Sequence, residues 1–515
     1  MRESLCFDDK QYEVKSFEMG GTVIRCRVFE GLDYCRNPVD PIQKMNIFVP
    51  EYYYTGEEGA GLAAGWNLHT APIFMPNTVG GYMPGPADQP GLDEKGRINS
   101  IFRALEHGYV VASAGVRGRT SGRAGREFFE GGVRMEATAD TGRNLGKAPA
   151  LIVDMKAAIR YLRWNRERIP GNTERIITNG TSAGGALSAL TGASGNSPDY
   201  DIYLREIGAA DARDDIFAAS CYCPIHNLEH ADMAYEWQFA SCTEYYHTRH
   251  LVLGEEIRSS VEHGVMGPEQ IRMSAELKAM FPSYVNSLEL KDEDGQELTL
   301  NEDGSGSFAD YVKECVLKGA RKEESSPRSA ARLAGMGEDE CPLDKAPFLQ
   351  FANGHVTALD WADYVRTITR MKTAPAFDAP DLSTPENDEF GESHLPVTGV
   401  QDPGRSALDT RHFTDYALAN STVHGTKAPE QLVRMLNPLT YIGEADTAPH
   451  WRIRHGAYDR DTSVAIPVIL SALLANRGYD VDSEIPWGLP HSGDYDLDEL
   501  FAWIDELDRR EKGSV

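Results

Sequence analysis

The sequence predicts an α/β fold: a mostly parallel central sheet with helices on both faces, interrupted by one long insertion. Three observations predict it. Short apolar, β-branched runs alternate with helical segments through the first 222 residues. The alternation breaks from about Pro224 to Pro438, and it resumes at Trp451. The expected organisation is a core in two parts, 1–222 and 437–515, with an insertion at 223–436 lying as a lid over the carboxyl ends of the strands.

In the first part, Met45–Val49, Ala71–Met75 and Tyr109–Ala114 read as strands, and Ile101–Glu106 reads as a helix. Ala150–Trp164 has Leu151, Met155, Ala158, Ile159 and Leu162 on one stripe and Asp154, Lys156 and Arg160 off it, the pattern of an amphipathic helix. Arg175–Asn179 and Ile216–Cys221 follow as buried strands. The insertion is charged and rich in candidate helices, with a polar run at 322–329 and a Pro/Asp-rich stretch at 374–394. Beyond it come the strand Trp451–Arg454, the helix Val464–Asn476 closed by Gly478, the strand-like Val481–Trp487 and a final helix, Asp496–Arg509.

A chain of 515 residues can bury a large core. Its net charge of -28 argues against nucleic acid or an anionic membrane surface as partner and fits a well-solvated surface. Neither a secretory signal nor a run of about eighteen apolar residues is expected. The eight cysteines, Cys6, Cys26, Cys35, Cys221, Cys223, Cys242, Cys315 and Cys341, include no C-x-x-C pair. That pattern suits reduced thiols in a cytoplasmic enzyme. A monomer is expected.

The chemistry concentrates at Gly180-Thr181-Ser182-Ala183-Gly184, which follows a strand and opens a helix-permissive run of small residues. G-x-S-x-G in that context is a nucleophile elbow: the glycines allow a sharp turn that lifts the hydroxyl clear of the sheet. A serine needs a histidine to take its proton and a carboxylate to fix that histidine's tautomer, in the chain order Ser, Asp, His. Asp459, after the strand Trp451–Arg454, and His491, after the strand-like Val481–Trp487, have the spacing of loops on two neighbouring strands. Asn77-Thr78-Val79-Gly80-Gly81-Tyr82 follows the strand Ala71–Met75, where an α/β-hydrolase supplies one oxyanion-hole N–H. Gly81 and Ala183 are the expected donors.

A competing motif is His226-Asn227-Leu228-Glu229-His230, an H-x-x-E-H pattern that on one helix would present two zinc ligands. No third ligand can be named, so a zinc-dependent hydrolase is the alternative and no metal is assigned.

Four segments closely resemble the bacterial tannases, tannin acyl hydrolases of the α/β-hydrolase superfamily: Met75–Tyr82, Asn179–Ala186, Cys223–His230 and Trp451–Gly456. Pro490–Asp496 resembles their C-terminal catalytic loop. The resemblance implies an α/β-hydrolase fold and a triad of Ser182, Asp459 and His491, matching the motif reading. It further implies that Lys372, Glu386 and Asp461 grip the hydroxyls of a galloyl ring. Spacing alone does not single out Lys372 or Glu386. Segments 121–139 and 321–345 depart from the family pattern as insertions that bear on access to the site.

The resulting expectation is a serine esterase that cleaves galloyl and related hydroxybenzoyl esters through an acyl-serine intermediate, without a cofactor. A feruloyl or general aryl carboxylesterase is the alternative within the same chemistry.

Overall fold

The computed structural model of the chain describes residues 5–93, 96–123, 141–253, 256–327, 343, 346–392 and 410–512, without the side chains of 247–262 and 511–512. Most of the 121–139 segment and much of 321–345 lie outside these residues.

The main sheet has nine strands among the described residues, in the order β1-β2-β3-β5-β4-β6-β7-β12-β13. They are β1 Glu13–Met19, β2 Thr22–Asp33, β3 Lys44–Pro50, β4 Pro72–Pro76, β5 Val110–Ala114, β6 Asn172–Thr181, β7 Ala218–Tyr222, β12 His450–Arg454 and β13 Asp480–Glu484. From β5 to β13 every neighbouring pair is parallel, with Ile73 opposite Ile176, Ile177 opposite Ala218 and Trp451 opposite Ala219. Strands β4, β5 and β7 are buried along their whole length, as strands covered on both faces must be.

Strands β1 to β3 differ from the expected strand–helix alternation: they pair antiparallel in sequence order at one edge of the sheet. β1 exposes Glu13, Val14, Ser16 and Glu18 and half-buries the residues between. A charged, half-exposed edge strand of this kind carries no apolar run to betray it.

The helix Ala150–Trp164 has the expected bounds, but its polar positions do not face water. Asp154 and Lys156 are fully buried. Asp154 accepts from Arg117 Nε (2.8 Å), Arg117 Nη2 (2.7 Å) and Gln43 Nε2 (2.8 Å). Lys156 Nζ donates to the Ser194 carbonyl (2.6 Å) and to Asp214 (2.8 Å), which also accepts from Arg160 (2.7 Å). The helix is enclosed all round, so charges that a surface helix would solvate are satisfied by internal partners.

Between β7 and β12 the chain builds a second packed body. The helix Leu228–Phe239 places Trp237 against Phe281, Phe308 and Trp361, which come from the helices Pro268–Ser287, Ser307–Ser325 and Trp361–Ile368. Two hairpins, β8 Glu244–Leu253 with β9 Glu256–Val265 and β10 Leu349–Ala352 with β11 His355–Leu359, complete it. This body rests on loops that leave the carboxyl ends of β12 and β13. A Cβ at Gly319 would come within 1.8 Å of the Ile485 carbonyl oxygen, and the Tyr364 hydroxyl donates to the Ala457 carbonyl. No described helix is long and apolar enough to cross a membrane, and the seven described cysteines are free thiols.

Removing one partner of a buried pair strands the other charge. Asp154→Ala is expected to destabilise the protein by about 3–5 kcal/mol by leaving the Arg117 guanidinium without its carboxylate. Urea unfolding of the two proteins measures it, and a loss below about 1 kcal/mol would mean that Arg117 finds another counter-charge.

Candidate active site

The site forms where β4, β6, β7, β12 and β13, consecutive in the sheet, end. Ser182 lies between the last residue of β6 and the helix Ala183–Ala193, at φ 60° and ψ -124°, a conformation costly for a residue with a Cβ. Its N–H donates to the Tyr222 carbonyl (3.0 Å), and its carbonyl accepts from Ala186 and Ile225. The motif glycines are required by crowding. A Cβ on Gly180 would lie 2.3 Å from the Gly184 carbonyl oxygen, and one on Gly184 would lie 2.5 Å from Asn77 Oδ1. Asn77, at the end of β4, donates through Nδ2 to the carbonyls of Asn179 (3.1 Å) and Gly184 (3.0 Å) and to Ser188 (3.2 Å). The elbow and the Asn77–Tyr82 loop are thus one unit.

Gly81 and Tyr82 both have positive φ, 51° and 58°. The Gly81 carbonyl accepts from Arg119 Nε (2.8 Å) and the Tyr82 carbonyl from the Arg119 N–H (2.8 Å). Ala183 opens its helix, so its N–H has no intrahelical acceptor.

Asp459 and His491 meet because the loops after β12 and β13 interlock. The Tyr458 N–H donates to the Leu489 carbonyl (2.9 Å), and a Cβ on Gly456 would come within 2.1 Å of that oxygen. His491 Nδ1 lies 2.7 Å from Asp459 Oδ2, and Asp459 Oδ1 accepts from the N–H groups of Asp461 (2.8 Å) and Thr462 (3.2 Å). Burial opposes ionisation of Asp459, but His491 and His455 outweigh it and bring its carboxyl down to about 2. Burial likewise opposes the imidazolium of His491, but Asp459, Cys223 and Asp461 hold it well above the ordinary histidine value. His491 Nε2 has no hydrogen-bond partner among the described residues.

Lys372 Nζ pairs with Asp461 Oδ1 (3.1 Å) and stands over the Phe377 ring (4.2 Å to its centre). Asp461 Oδ2 lies 3.7 Å from His491 Nε2, so one carboxylate faces both the lysine and the proposed base. Burial would lower the Lys372 ammonium, but Asp461 and Glu386 overcome it and raise it above its usual range. Glu386 is buried on the short helix Pro385–Glu389, capped by Thr384. The structure therefore brings the insertion residues Lys372 and Glu386 into one electrostatic cluster with Asp461, which puts them beside Asp459 and His491.

The H-x-x-E-H motif does not form the helical pair that zinc binding needs. His226 precedes the helix, which starts at Leu228 after Asn227 at φ 55°. His226 is buried and its burial lowers it to about 3; His230, also lowered by burial, to about 4, stacks on Tyr284 at 3.6 Å and contacts Asn227. Asn437 occupies Glu229 (2.7 Å). Ligand atoms of Cys223, Asp459 and His491 fall within 4.8 Å of one another. The 2.7 Å between Asp459 and His491 is the spacing of a shared proton, shorter than two donors on one ion normally allow.

Sequence reasoning missed several residues around this centre. Cys223 sits directly after β7 with its thiol beside His491; burial raises it, with His491 acting in the opposite sense. His455 is buried 3.5 Å from Asp459 with both ring nitrogens unpartnered among the described residues. Arg452, inside β12, donates to Asp496 (2.5 Å) and Tyr222 (2.9 Å), anchoring the segment that follows His491. The alternation of Arg452 and Arg454, which puts both on one sheet face, was the available signal.

With this geometry in view, the chain is 43% identical to the tannase of Lactobacillus plantarum, whose crystal structure superposes with a TM-score of 0.85 over 98% of this chain and 99% of that one. The chain belongs to the tannase family. A tannase from Fusobacterium nucleatum is 41% identical over 98% of this chain and 99% of its own, with a TM-score of 0.83. A tannin acyl hydrolase in complex with ethyl gallate is 42% identical over 98% and 99% of the two chains, with a TM-score of 0.82; another solved relative holds 3,4-dihydroxybenzoate. The BD-FAE family model matches residues 142–256, which include the elbow. A shorter likeness, 43% identity over 58 residues, links it to the esterase LipC of Mycobacterium tuberculosis, across 11% of this chain and 14% of that protein. Tannases are carboxylic ester hydrolases of α/β-hydrolase architecture, and this one is no exception in its sheet.

Because the carboxylate of Asp461 favours the imidazolium, an enzyme that uses His491 as its base would show an acid limb of kcat/KM that reports a raised affinity for the proton. Asp461→Asn removes that charge, lowers the His491 value and leaves the ring neutral to lower pH. The acid limb of the pH profile for a non-phenolic ester should therefore move to lower pH in the variant; an upward shift contradicts the assignment.

Proposed function

We propose that this chain hydrolyses galloyl esters to gallic acid and an alcohol, with Ser182 as nucleophile, His491 as general base and then acid, and Asp459 as the carboxylate that fixes the imidazole. The single observation that carries the reading is Ser182 held at positive φ on a glycine-walled elbow at the end of β6, with a 2.7 Å Asp459–His491 pair on the loops after β12 and β13, beyond the intervening β7.

The mechanism follows from the placement of each group. Asp459 accepts from His491 Nδ1, which leaves Nε2 as the basic atom facing the serine. When Nε2 takes the hydroxyl proton, Ser182 Oγ attacks the ester carbonyl. The N–H groups of Gly81 and Ala183 receive the developing oxyanion, a contribution of about 10²- to 10³-fold in rate per donor. His491 returns the proton to the departing alcohol, and a galloyl-serine remains. Water activated by the same nitrogen then releases the acid.

Lys372, Glu386 and Asp461 supply acid selectivity in this proposal: carboxylates accept from vicinal phenol O–H groups and the ammonium donates to a phenolic oxygen. The complexes of relatives with ethyl gallate and 3,4-dihydroxybenzoate support this class of ligand. The insertion, 223–436, then acts as the acid-specificity body laid over a common esterase core. The free thiols support a reducing, cytoplasmic setting.

Ser182→Ala should leave the fold intact and lower kcat by roughly 10⁵- to 10⁶-fold, with a phenylmethylsulfonyl adduct mapping to Ser182 in the parent protein. Unchanged turnover in the variant would end the serine mechanism. A site built to hydrogen-bond hydroxyls rejects esters that lack them by up to about 10⁴–10⁵. Methyl gallate should therefore be cleaved well and methyl benzoate barely, and Glu386→Ala should narrow the gap. Equal wild-type kcat/KM for the two esters would leave a general aryl esterase.

A further inference from the structure

We infer that Arg119 is a positioning residue that joins recognition of the acid to stabilisation of the oxyanion; this rests on the roles proposed for Glu386 and Gly81. Arg119 is nearly buried. Its Nε donates to the Gly81 carbonyl (2.8 Å) and its own N–H to the Tyr82 carbonyl (2.8 Å), so it grips the two consecutive peptides that flank Tyr82, directly after the Gly81 N–H. The same guanidinium donates through Nη1 to Asp388 (3.2 Å). Asp388 belongs to the helix Pro385–Glu389, two residues after Glu386. A single rigid fork thus spans the turn proposed to hold the oxyanion and the helix proposed to hold the ring.

The far end of the brace is itself fixed. Asp388 also accepts from Arg123 (2.6 Å) and Lys147 (2.5 Å), and Lys147 donates to the Asp388 carbonyl (2.6 Å). Burial opposes ionisation of Asp388, but these three cations outweigh it and hold the carboxylate charged. On the near side, Tyr82 donates through its hydroxyl to the Ile225 carbonyl (2.6 Å), whose own N–H binds the Ser182 carbonyl (3.2 Å). From Glu386 to Asp388 the connection is the helix itself, and from Asp388 to Ser182 it runs through polar contacts of 2.6 to 3.2 Å joined across Arg119, Tyr82 and Ile225.

The functional consequence is a division of binding energy. If the helix carrying Glu386 and the Gly81 turn move as one, a ring that seats on Glu386 also sets the oxyanion donors. Part of the hydroxyl recognition then appears in kcat and not only in KM. A lysine cannot reproduce this brace, because an ammonium has one donor centre where the guanidinium presents a planar fork.

The test is a double-mutant cycle of Arg119→Lys and Glu386→Gln, read as kcat and KM on methyl gallate and as kcat/KM on p-nitrophenyl acetate, which has no ring to recognise. Arg119→Lys should lower kcat on methyl gallate and kcat/KM on p-nitrophenyl acetate about 10- to 100-fold, with little change in KM for methyl gallate. Glu386→Gln should lower kcat and raise KM for methyl gallate in the parent, but change only KM in the Arg119→Lys background. Losses in kcat that simply multiply, or an Arg119→Lys enzyme with parental kcat, overturn the brace while leaving the site assignment standing. A Glu386→Gln enzyme with parental kcat and KM on methyl gallate overturns the brace and the acid-recognition reading together. Should Arg119→Lys fold poorly, Arg119→Ala assayed with and without millimolar guanidinium gives the same information: recovery of kcat supports the brace, and none overturns it.

Discussion

The packing of Asn77 against the turn at Ser182 is the contact on which the rest of this active site depends. A strained serine persists only where its surroundings over-determine it. Here the determination is mutual: Asn77 satisfies backbone carbonyls on both sides of the elbow, and the absence of side chains at Gly180 and Gly184 lets it come close enough to do so. The loop that carries Gly81 starts from the same asparagine. The proposed nucleophile and the proposed oxyanion turn are consequently positioned by one set of hydrogen bonds and cannot drift independently.

A second constraint comes from charge. The centre gathers Asp459, Asp461 and Glu386 around His491 and Lys372, and each cation is held above its ordinary range by the carboxylates despite burial. This differs from a bland esterase pocket, where the histidine meets one carboxylate. Asp461 serves the lysine on one oxygen and approaches the imidazole with the other, which would tie the proposed acid recognition to the proton affinity of the proposed base. Arg452 plays a quieter part below, fastening Asp496 so that the loop after His491 has a fixed end.

The core was legible because its strands are short, buried and apolar, and because the serine, aspartate and histidine follow strands in the order the chemistry needs. The helix Ala150–Trp164 was found to the residue, yet its charges were misjudged: periodicity shows which side is apolar, but not that Arg117 or Asp214 will arrive from elsewhere to enclose Asp154 and Lys156. Strands β1 and β2 escaped notice for the reverse reason: β1 is charged and half exposed, and β2 interrupts its buried Ile24, Cys26, Val28 and Phe29 with Arg25 and Arg27. Lys372 and Glu386 lie nearly ninety and seventy-five positions from Asp461, so only resemblance to a family pointed to them. Arg119 carried no pattern at all, and Cys223 stood in a family-like segment without a role of its own, since what each touches arrives from parts of the chain distant in sequence. The His226–His230 motif was set aside in the sequence for want of a third ligand; in the structure Asn227 turns the backbone left-handed and puts the two rings on different elements.

The same acidic lining that is proposed to grip phenol hydroxyls bears on how a turnover finishes. An ester reaches Ser182 with no charge at its reacting carbon, whereas the acid that leaves is an anion born within reach of Asp459 and Asp461. Like charges in a partly desolvated cleft repel strongly. Lys372 and His491 stand as cations in the same cluster and offset that repulsion, and a solved relative holds the acid 3,4-dihydroxybenzoate, so the hold on a departing acid is set by the balance of these opposed charges.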